Sequence, residues 1–432
     1  MTERVNDFLH KYNMHYDTLD MKKEIEKFQS QMQAGLLGDS SSLQMIPTFI
    51  TVANELPNDK EVIVMDAGGT NFRVASVRRG KDGLSISNFS KKPMPGTKGR
   101  VTAEQFFEQI AELLETVLVK SDAETVGFCF SFPTEILPDK EGLVVGFSKE
   151  LEVEGAVGKA IGRSLNAIIE KKGYKPRRFV LLNDTVATML GGMTATSEKQ
   201  YSSYIGYILG TGTNTCYLEK CANIKKSDMA AAMPGRMAIN CESGSYDGFL
   251  QGKFDLELDQ ESNNPGAYKT EKMISGAYQG TMIFKTVKAA AEDGLFSSEF
   301  GEKFSGFSNF TMPQIDGFCA ERKGNGELAL LAEKEEDNEV LFDIIDASFE
   351  RSARMTAVIF SALILQTGDG KSPDMPVCVT GEGTSFTKSV LFRPKLNRYI
   401  KEYLNEDLGI FCDIITVDDA TLAGSAAAAV ME

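Results

Sequence analysis

The sequence predicts an α/β protein made of two related units that flank a central cleft. Three observations carry this reading. At 432 residues the chain exceeds what one compact core usually holds. The order strand, strand, strand, helix, strand, helix runs through it twice. Small-residue turns stand at the same place in both copies: DAGGTN (66–71) follows the first strand of one, and LGTGTN (209–214) that of the other. Two such units side by side leave a crevice where strand ends and turns converge.

Residues 1–57 come first. They show helical spacing without Gly or Pro from Thr18 to Gln33 and predict a helical segment packed on the larger unit. VIVM (62–65) is an apolar run suited to a buried strand, and FRVASVR (72–78) alternates like one. Lys81-Asp82-Gly83 is a hairpin-type turn leading to LSISNF (84–89). Thr102 with Gln105 forms a capping box ahead of Phe106, Phe107, Ile110, Leu113, Leu114 and Val117 at helical period. TVGFCFSF (125–132) is a strand, 155–171 a helix and FVLL (179–182) a strand. The second copy reads YIGYIL (204–209), TCYLE (215–219) and RMAINC (236–241) as strands, then a helix at 343–366, MPVCVT (375–380), a helix at 390–405 and FCDIITV (411–417). Asp418 and Asp419 lead into a last helix, TLAGSAAAAVM, expected to cross back to the first unit. The expected division is 58–184 as the small domain, completed by 419–432, and 185–418 as the large one, with a helical insertion at about 248–340.

Composition narrows the function. A net charge of −15 disfavours nucleic acid and anionic membrane as partners. No apolar run reaches the roughly 18–20 residues that span a bilayer, and the charged N-terminus lacks the apolar core of a secretory signal. Seven scattered cysteines without a C-x-x-C pair point to reduced thiols in the cytoplasm. The only histidines are His10 and His15, both near the N-terminus. That argues against a histidine triad or a His-ligated metal and leaves acid–base work to Asp, Glu, Lys, Tyr or Cys.

Glycine permits close backbone approach, so successive N–H groups in the turns at 66–71, 209–214 and TGEGTS (380–385) can converge on a polyphosphate. Each turn taken alone is equally a tight hairpin. A Walker motif is missing: Gly370-Lys371-Ser372 has Leu365 where the first glycine should stand. Asp66 ends a strand beside Gly68 and Gly69, where a carboxylate tolerates a phosphate only with a cation between; magnesium retaining its waters suits the place, and an Asx turn is the alternative. Asp184 follows an apolar strand directly. It is either a general base at the cleft or the N-cap of a helix starting near Val186.

The strings VIVMDAGGTNFRV, GFCFSFPTE, LLNDTVATM, ILGTGTNTCYLE, INCESGSY and TGEGTSF, in that order from about residue 60, resemble the hexokinase family, within the wider actin-like ATPase, ribonuclease H-like and sugar-kinase fold. The resemblance implies ATP-dependent phosphorylation of a hexose, glucose first, at its 6-hydroxyl with Mg2+. It implies Asp184 as catalytic base with Lys149 beside it, and sugar contacts at Ser131, Ser148, Lys149, Asn183, Asn214, Glu242 and Glu271. Phosphate and nucleotide positions would be Asp66, Gly68, Gly69, Thr70, Asn71, Arg73, Thr211, Gly212, Thr213, Gly381, Gly383, Thr384 and Ser385, with Asp66 reaching Mg2+ through water. Where the family commonly has W-T-K-G, this chain has Phe147-Ser148-Lys149-Glu150, and its E-W-G is Glu242-Ser243-Gly244. The expected partners are a small-molecule hexose and ATP, for a monomer or homodimer. A kinase for an amino sugar or mannose, a sugar sensor, and an actin-like assembling protein are the competing readings.

Overall fold

A computed structural model describes residues 1–52, 59–68, 71–80, 83–147, 151–196 and 199–431. The strands of its two main sheets, in chain order, are β1 (Ile46–Thr51), β2 (Glu61–Ala67), β3 (Asn71–Gly80), β4 (Gly83–Pro93), β5 (Thr125–Phe130), β6 (Arg178–Leu182), β7 (Ser203–Leu209), β8 (Thr213–Lys220), β9 (Arg236–Asn240), β10 (Val377–Glu382) and β11 (Cys412–Ile415).

One sheet has the order β6-β5-β2-β3-β4 and the other β1-β9-β8-β7-β10-β11. Number each unit's five strands in sequence and both sheets read 5-4-1-2-3. In each, the first three strands pair antiparallel and the last two add in parallel on the other side. The internal repeat seen in the sequence is thus a repeat of topology. The helices Ala103–Leu118 and Ile161–Lys171 cover one face of the first sheet, with Phe106, Ile110, Leu114, Leu165 and Ile169 buried there. Thr102 and Gln105 form the expected capping box.

Two helices fill the space between the sheets, and they are exchanged. Asp184–Ala195, which follows the first sheet's last strand, lies on the second sheet: a Cβ added at Gly206 of β7 would fall 2.1 Å from the Thr185 carbonyl. Ala420–Val430, the last helix, lies on the first sheet: a Cβ at Gly127 of β5 would meet the Ser425 carbonyl at 2.0 Å. Where the two helices cross, Gly424 has room for no side chain, because its Cβ would stand 1.8 Å from the Ala187 carbonyl. Leu422, Ala426, Ala429 and Val430 complete a core with Val62, Val64, Ala75 and Val77 of the first sheet.

Several elements differ from expectation. The 1–57 stretch is not helical throughout. After the helices Glu3–Lys11 and Met21–Leu37 it adds β1 to the edge of the second sheet, antiparallel to β9. IPTFIT is rich in β-branched and aromatic residues, and the edge position tolerates Pro47. The helix expected from 155 starts at Ile161, since Gly155 and Gly158 hold φ of 73° and 79° and keep the chain in turns. The helix expected at 343–366 runs Glu335–Thr367, and that at 390–405 is Phe392–Tyr399 continued by a π-helical stretch, Ile400–Asp407. The turn expected at 380–385 shrinks to Gly383 (φ 108°), because β10 runs on through Glu382 and a helix, Thr384–Lys388, starts at once. The 81–82 part of the hairpin turn lies outside the described residues. The insertion is helical, from Lys253–Glu261 through Glu327–Leu331. Among the described residues no helix is long and apolar enough to cross a membrane.

Candidate active site

Strand ends and helix starts from both units meet between the sheets. Asp184 is the first residue of its helix, but it is not the cap. Asn183 is: its backbone is extended (φ −73°, ψ 156°) and its Oδ1 accepts the Thr185 N–H at 2.9 Å. The capping alternative for Asp184 therefore falls to its neighbour, and Asn183, expected as a sugar contact, has its carbonyl oxygen engaged in the fold. Asp184 Oδ1 accepts the same N–H at 2.8 Å and the Thr185 hydroxyl at 3.3 Å. Burial pushes the Asp184 carboxyl above its ordinary value, and the Asp66 charge adds to this, against the Thr185 N–H and the Ser131 hydroxyl. Ser131 is set by its N–H, which donates to the Ala67 carbonyl at 3.2 Å.

The second unit contributes an amide–carboxylate network. Asn214 Nδ2 donates to Asn240 Oδ1 at 2.7 Å and to Glu242 Oε1 at 3.2 Å; Asn240 Nδ2 donates to the same Glu242 oxygen at 2.7 Å. Asn214 Oδ1 accepts from the Thr215 and Ser243 N–H groups at 2.7 and 3.2 Å. Glu242 sits on a left-handed backbone, φ 55°. Burial pushes its carboxyl up to about 7, Asn240 opposes, and the Asp184 and Glu271 charges add. Glu271, in the helix Lys269–Ile274, accepts the Thr213 N–H at 3.1 Å. A Cβ at Gly244 would meet Glu271 Oε2 at 3.4 Å, so the glycine leaves the carboxylate its room.

The turns also come together. A Cβ at Gly383 would fall 2.4 Å from the Leu209 carbonyl and 2.8 Å from Gly210 N, and Ser385 Oγ donates to the Gly210 carbonyl at 3.4 Å. The Gly276 N–H, at the start of the helix Gly276–Glu292, reaches the same carbonyl at 2.8 Å. The N–H of Ala277 donates to Thr211 O at 3.4 Å. Gly212 O accepts the Gly210 N–H at 2.9 Å, closing the turn. Thr213 turns its hydroxyl back to the Ile208 carbonyl at 3.0 Å, and Thr384 is exposed. Gly381 is packed under the Phe386 ring.

Asp66 is paired with Arg73, whose Nε donates to Asp66 Oδ2 at 2.9 Å and whose Nη2 joins the same oxygen. Arg73 also donates to Asp419 Oδ1 at 2.8 Å and to Thr421 Oγ1 at 3.1 Å, tying the start of the last helix to β2 and β3. Across from it stands Glu382, which accepts the Thr188 hydroxyl at 3.0 Å. Burial raises the Glu382 carboxyl, and the Asp184 and Asp66 charges raise it further. Asp66, Asp184 and Glu382 offer carboxylate oxygens, and hard oxygens are what Mg2+ takes. The residues present therefore fit that ion.

Of the expected site, Gly69, Thr70, Ser148 and Lys149 lie outside the described residues, with Glu150. Gly68 and Asn71 border the first turn. Asn240, Glu382, Asp419 and Thr188 were missed. Asn240 had a signal: it stands two residues before Glu242, hence on the same side of an extended chain. Glu382 lies inside the TGEGTS turn, where the glycines carry the signal. The two histidines do meet: His10 and His15 stack at 4.2 Å and share Asp17, with candidate ligand atoms within 4.8 Å of one another.

Two family models, both described as hexokinase, match residues 4–194 and 204–431. Among curated proteins, hexokinase-2 of Homo sapiens is 28% identical over 423 residues, covering 92% of this chain and 45% of its own length. The chloroplastic hexokinase-4 of Oryza sativa subsp. japonica is 30% identical over 423 residues, covering 90% of this chain and 80% of its own. The chain spans about half the length, or less, of the first relatives it matches, 48% of the Rattus norvegicus hexokinase-2 for instance. Among solved structures, the hexokinase from Schistosoma mansoni complexed with glucose aligns at a TM-score of 0.79 and 22% identity, over 100% of this chain and 99% of that one, which is a likeness of fold.

Proposed function

The chain belongs to the hexokinase family, and on that premise we propose that it transfers the γ-phosphoryl group of ATP to the 6-hydroxyl of a hexose, most simply glucose. The observation that carries the reading is Asp184: a half-buried carboxylate at a helix start, with its pKa raised, while Asn183 does the capping. In the proposed step the sugar oxygen attacks the γ-phosphorus. The new O–P bond forms as the bond to the β-phosphate bridging oxygen breaks, ADP leaves, and the hydroxyl proton passes to the Asp184 carboxylate. Raising a carboxyl toward the working pH strengthens it as a base.

Ser131 and Asn183 from the first unit, and Asn214, Glu242 and Glu271 from the second, would hold the sugar hydroxyls. Asn240 and the Thr213 N–H already orient these acceptors. Ser148 and Lys149 remain proposed sugar contacts, with Lys149 adding positive charge. Gly68 through Asn71, the 211–213 turn and the 381–385 turn would face ATP, with Arg73 holding the strand end that carries the first of these. Mg2+ would be held by Asp66 through water, with Glu382 across from it, and would supply charge neutralisation to the phosphates.

Residues 58–184 with 419–432 are proposed as one domain and 185–418 as the other, with 1–57 packed on the latter. Contacts of the N-terminal stretch with Glu335–Thr367 support this last point: Gln29 Nε2 donates to the Ala362 carbonyl at 3.3 Å and Arg354 Nε to the Leu19 carbonyl at 2.8 Å. A sugar that touches both domains favours their closure and the exclusion of water. Cytoplasmic residence is proposed on the seven free cysteines, six of them buried.

The test is ADP release against a panel of hexoses with and without Mg2+. Asp184→Asn is expected to lower kcat by about 10²–10⁴ with folding retained. Near-parental turnover by that variant refutes the base assignment. Turnover of mannose or an amino sugar far above glucose moves the substrate, not the reaction.

A further inference from the structure

The chain has only two histidines, and the fold brings them together. His10 lies in the last turn of the helix Glu3–Lys11. Just beyond that helix Asn13 takes a left-handed backbone, φ 56°, which asparagine tolerates better than most residues. The Asn13 N–H closes on the His10 carbonyl at 3.1 Å and the Met14 N–H on the Leu9 carbonyl at 2.8 Å, so the chain turns back at once. The one-turn 3-10 helix Tyr16–Thr18 follows. Thr18 donates its hydroxyl to the His15 carbonyl at 2.7 Å, which fixes His15 and Asp17 on this turn. The His15 ring packs against those of His10 and Tyr16, each centroid 4.2 Å away.

Asp17 reaches both imidazoles. One carboxylate oxygen is 2.6 Å from His15 Nδ1 and the other 3.4 Å from His10 Nε2. His15 is 3% exposed and its Nε2 is buried without a partner, so Nδ1 is the nitrogen it offers to the cluster. Nδ1 and a carboxylate oxygen at 2.6 Å both carry lone pairs, and they need a positive centre between them, a proton or a metal ion. The side chains of His10 and Asp17 are 41% and 50% exposed, which gives an ion a way in from solvent. Lys11, the neighbouring cation, is engaged by Asp293 at 2.6 Å. Two histidines are too few for a histidine triad, but two with one carboxylate make a three-ligand site that leaves a fourth position for water.

We propose that His10 Nε2, His15 Nδ1 and the Asp17 carboxylate bind a divalent transition-metal ion, Zn2+ first. The site shares no residue with the proposed sugar and nucleotide positions, and the inference is independent of the hexose-kinase reading. Imidazole nitrogens select this class of ion over Mg2+, which takes oxygen ligands. Zinc stands about 2.0–2.2 Å from nitrogen and oxygen ligands, which sets those atoms about 3.0–3.5 Å apart. Here they lie within 4.8 Å of one another. The remaining closure falls to His10, whose exposed ring tilts out of its stack while His15 and Asp17 stay on their turn. The ion takes the place of the proton between Nδ1 and Asp17, and that proton leaves to solvent. Once bound, it ties the end of the first helix to the turn ahead of the helix Met21–Leu37, bracing the segment that packs on Glu335–Thr367.

The experiment titrates Zn2+, and Co2+ as a coloured probe, into the full chain carrying Cys319→Ser, with Mg2+ in excess. Cys319 is the one cysteine that is not buried, so its replacement removes the competing thiol. Chelator competition gives the affinity. Ring 15N–1H spectra report on both imidazoles, since the chain has no others. The expected result is one ion per chain, retained against Mg2+, with both imidazoles shifting together. His10→Ala and Asp17→Asn each change an exposed side chain and keep the fold, and each should weaken binding at least about tenfold. Unmoved imidazole signals, no ion retained in excess Mg2+, or an affinity unchanged in either variant overturns the proposal. Hexose turnover is not the readout, so a failure here leaves the functional reading standing.

Discussion

Glu242 shows how far a single side chain can be read. Its carboxyl is raised to about 7 by burial first and then by the Asp184 and Glu271 charges. In the unfolded chain it would titrate near an ordinary glutamate value of about 4.3. Between these two values the folded protein holds a proton that the unfolded one has lost. Stability therefore falls as pH rises from about 5 through 7 and levels off above. Glu242→Gln removes that term and keeps an oxygen for Asn240. The variant should match the parent at pH 5 and exceed it by on the order of 1–3 kcal/mol at pH 8, while hexose affinity drops at least about tenfold. Denaturant titrations at both pH values check this, and parallel pH profiles for the two proteins would contradict it. The sequence singled out Asp184 and Glu242 because each follows an apolar strand, and Asn214 through the family resemblance. It could not show that Asn183 takes the cap, or that Arg73 answers Asp66, since both depend on which way a side chain turns after the strand ends.

At the scale of elements, the crossing of Asp184–Ala195 with Ala420–Val430 leaves the least room. Gly424→Ala places a methyl group 1.8 Å from a carbonyl oxygen that the helix itself cannot move. A loss of about 1–3 kcal/mol is expected, with reduced turnover because the displaced helix begins at Asp184. Gly317→Ala, in the open helix Met312–Ala320 with nothing within 4 Å, should instead gain about 0.5–1 kcal/mol. Urea midpoints of the two variants test the contrast, and equal shifts would show that the crossing is slack. The elements legible in the sequence were those with a clear period or a paired turn, among them the capped helix after Thr102 and the strands on either side of each Gly-rich turn. β1 was not, because six residues at a sheet edge carry little periodicity and their partner, β9, lies almost two hundred positions away. The glycines that delay the helix at 161 were visible, but their positive φ belongs to the packed chain.

In the whole molecule the two sheets have one topology, and each is faced by the helix that the other's half of the chain provides. The repeat made the pair of units legible; the exchange of helices required coordinates. Removing residues 420–432 should therefore unsettle a sheet whose strands all lie far earlier in the chain, by uncovering Val62, Val64, Ala75 and Val77. Amide hydrogen exchange in β2 and β3 should accelerate in that truncation, and full protection there would contradict the packing argument. The same arrangement sets a timetable for biosynthesis. The earlier unit emerges from the ribosome with one side of its sheet bare, and it stays so until the stretch from Ala420 onward has been made. Whatever shields that apolar face meanwhile, a chaperone or a provisional collapse, has nearly the entire remaining period of translation to cover.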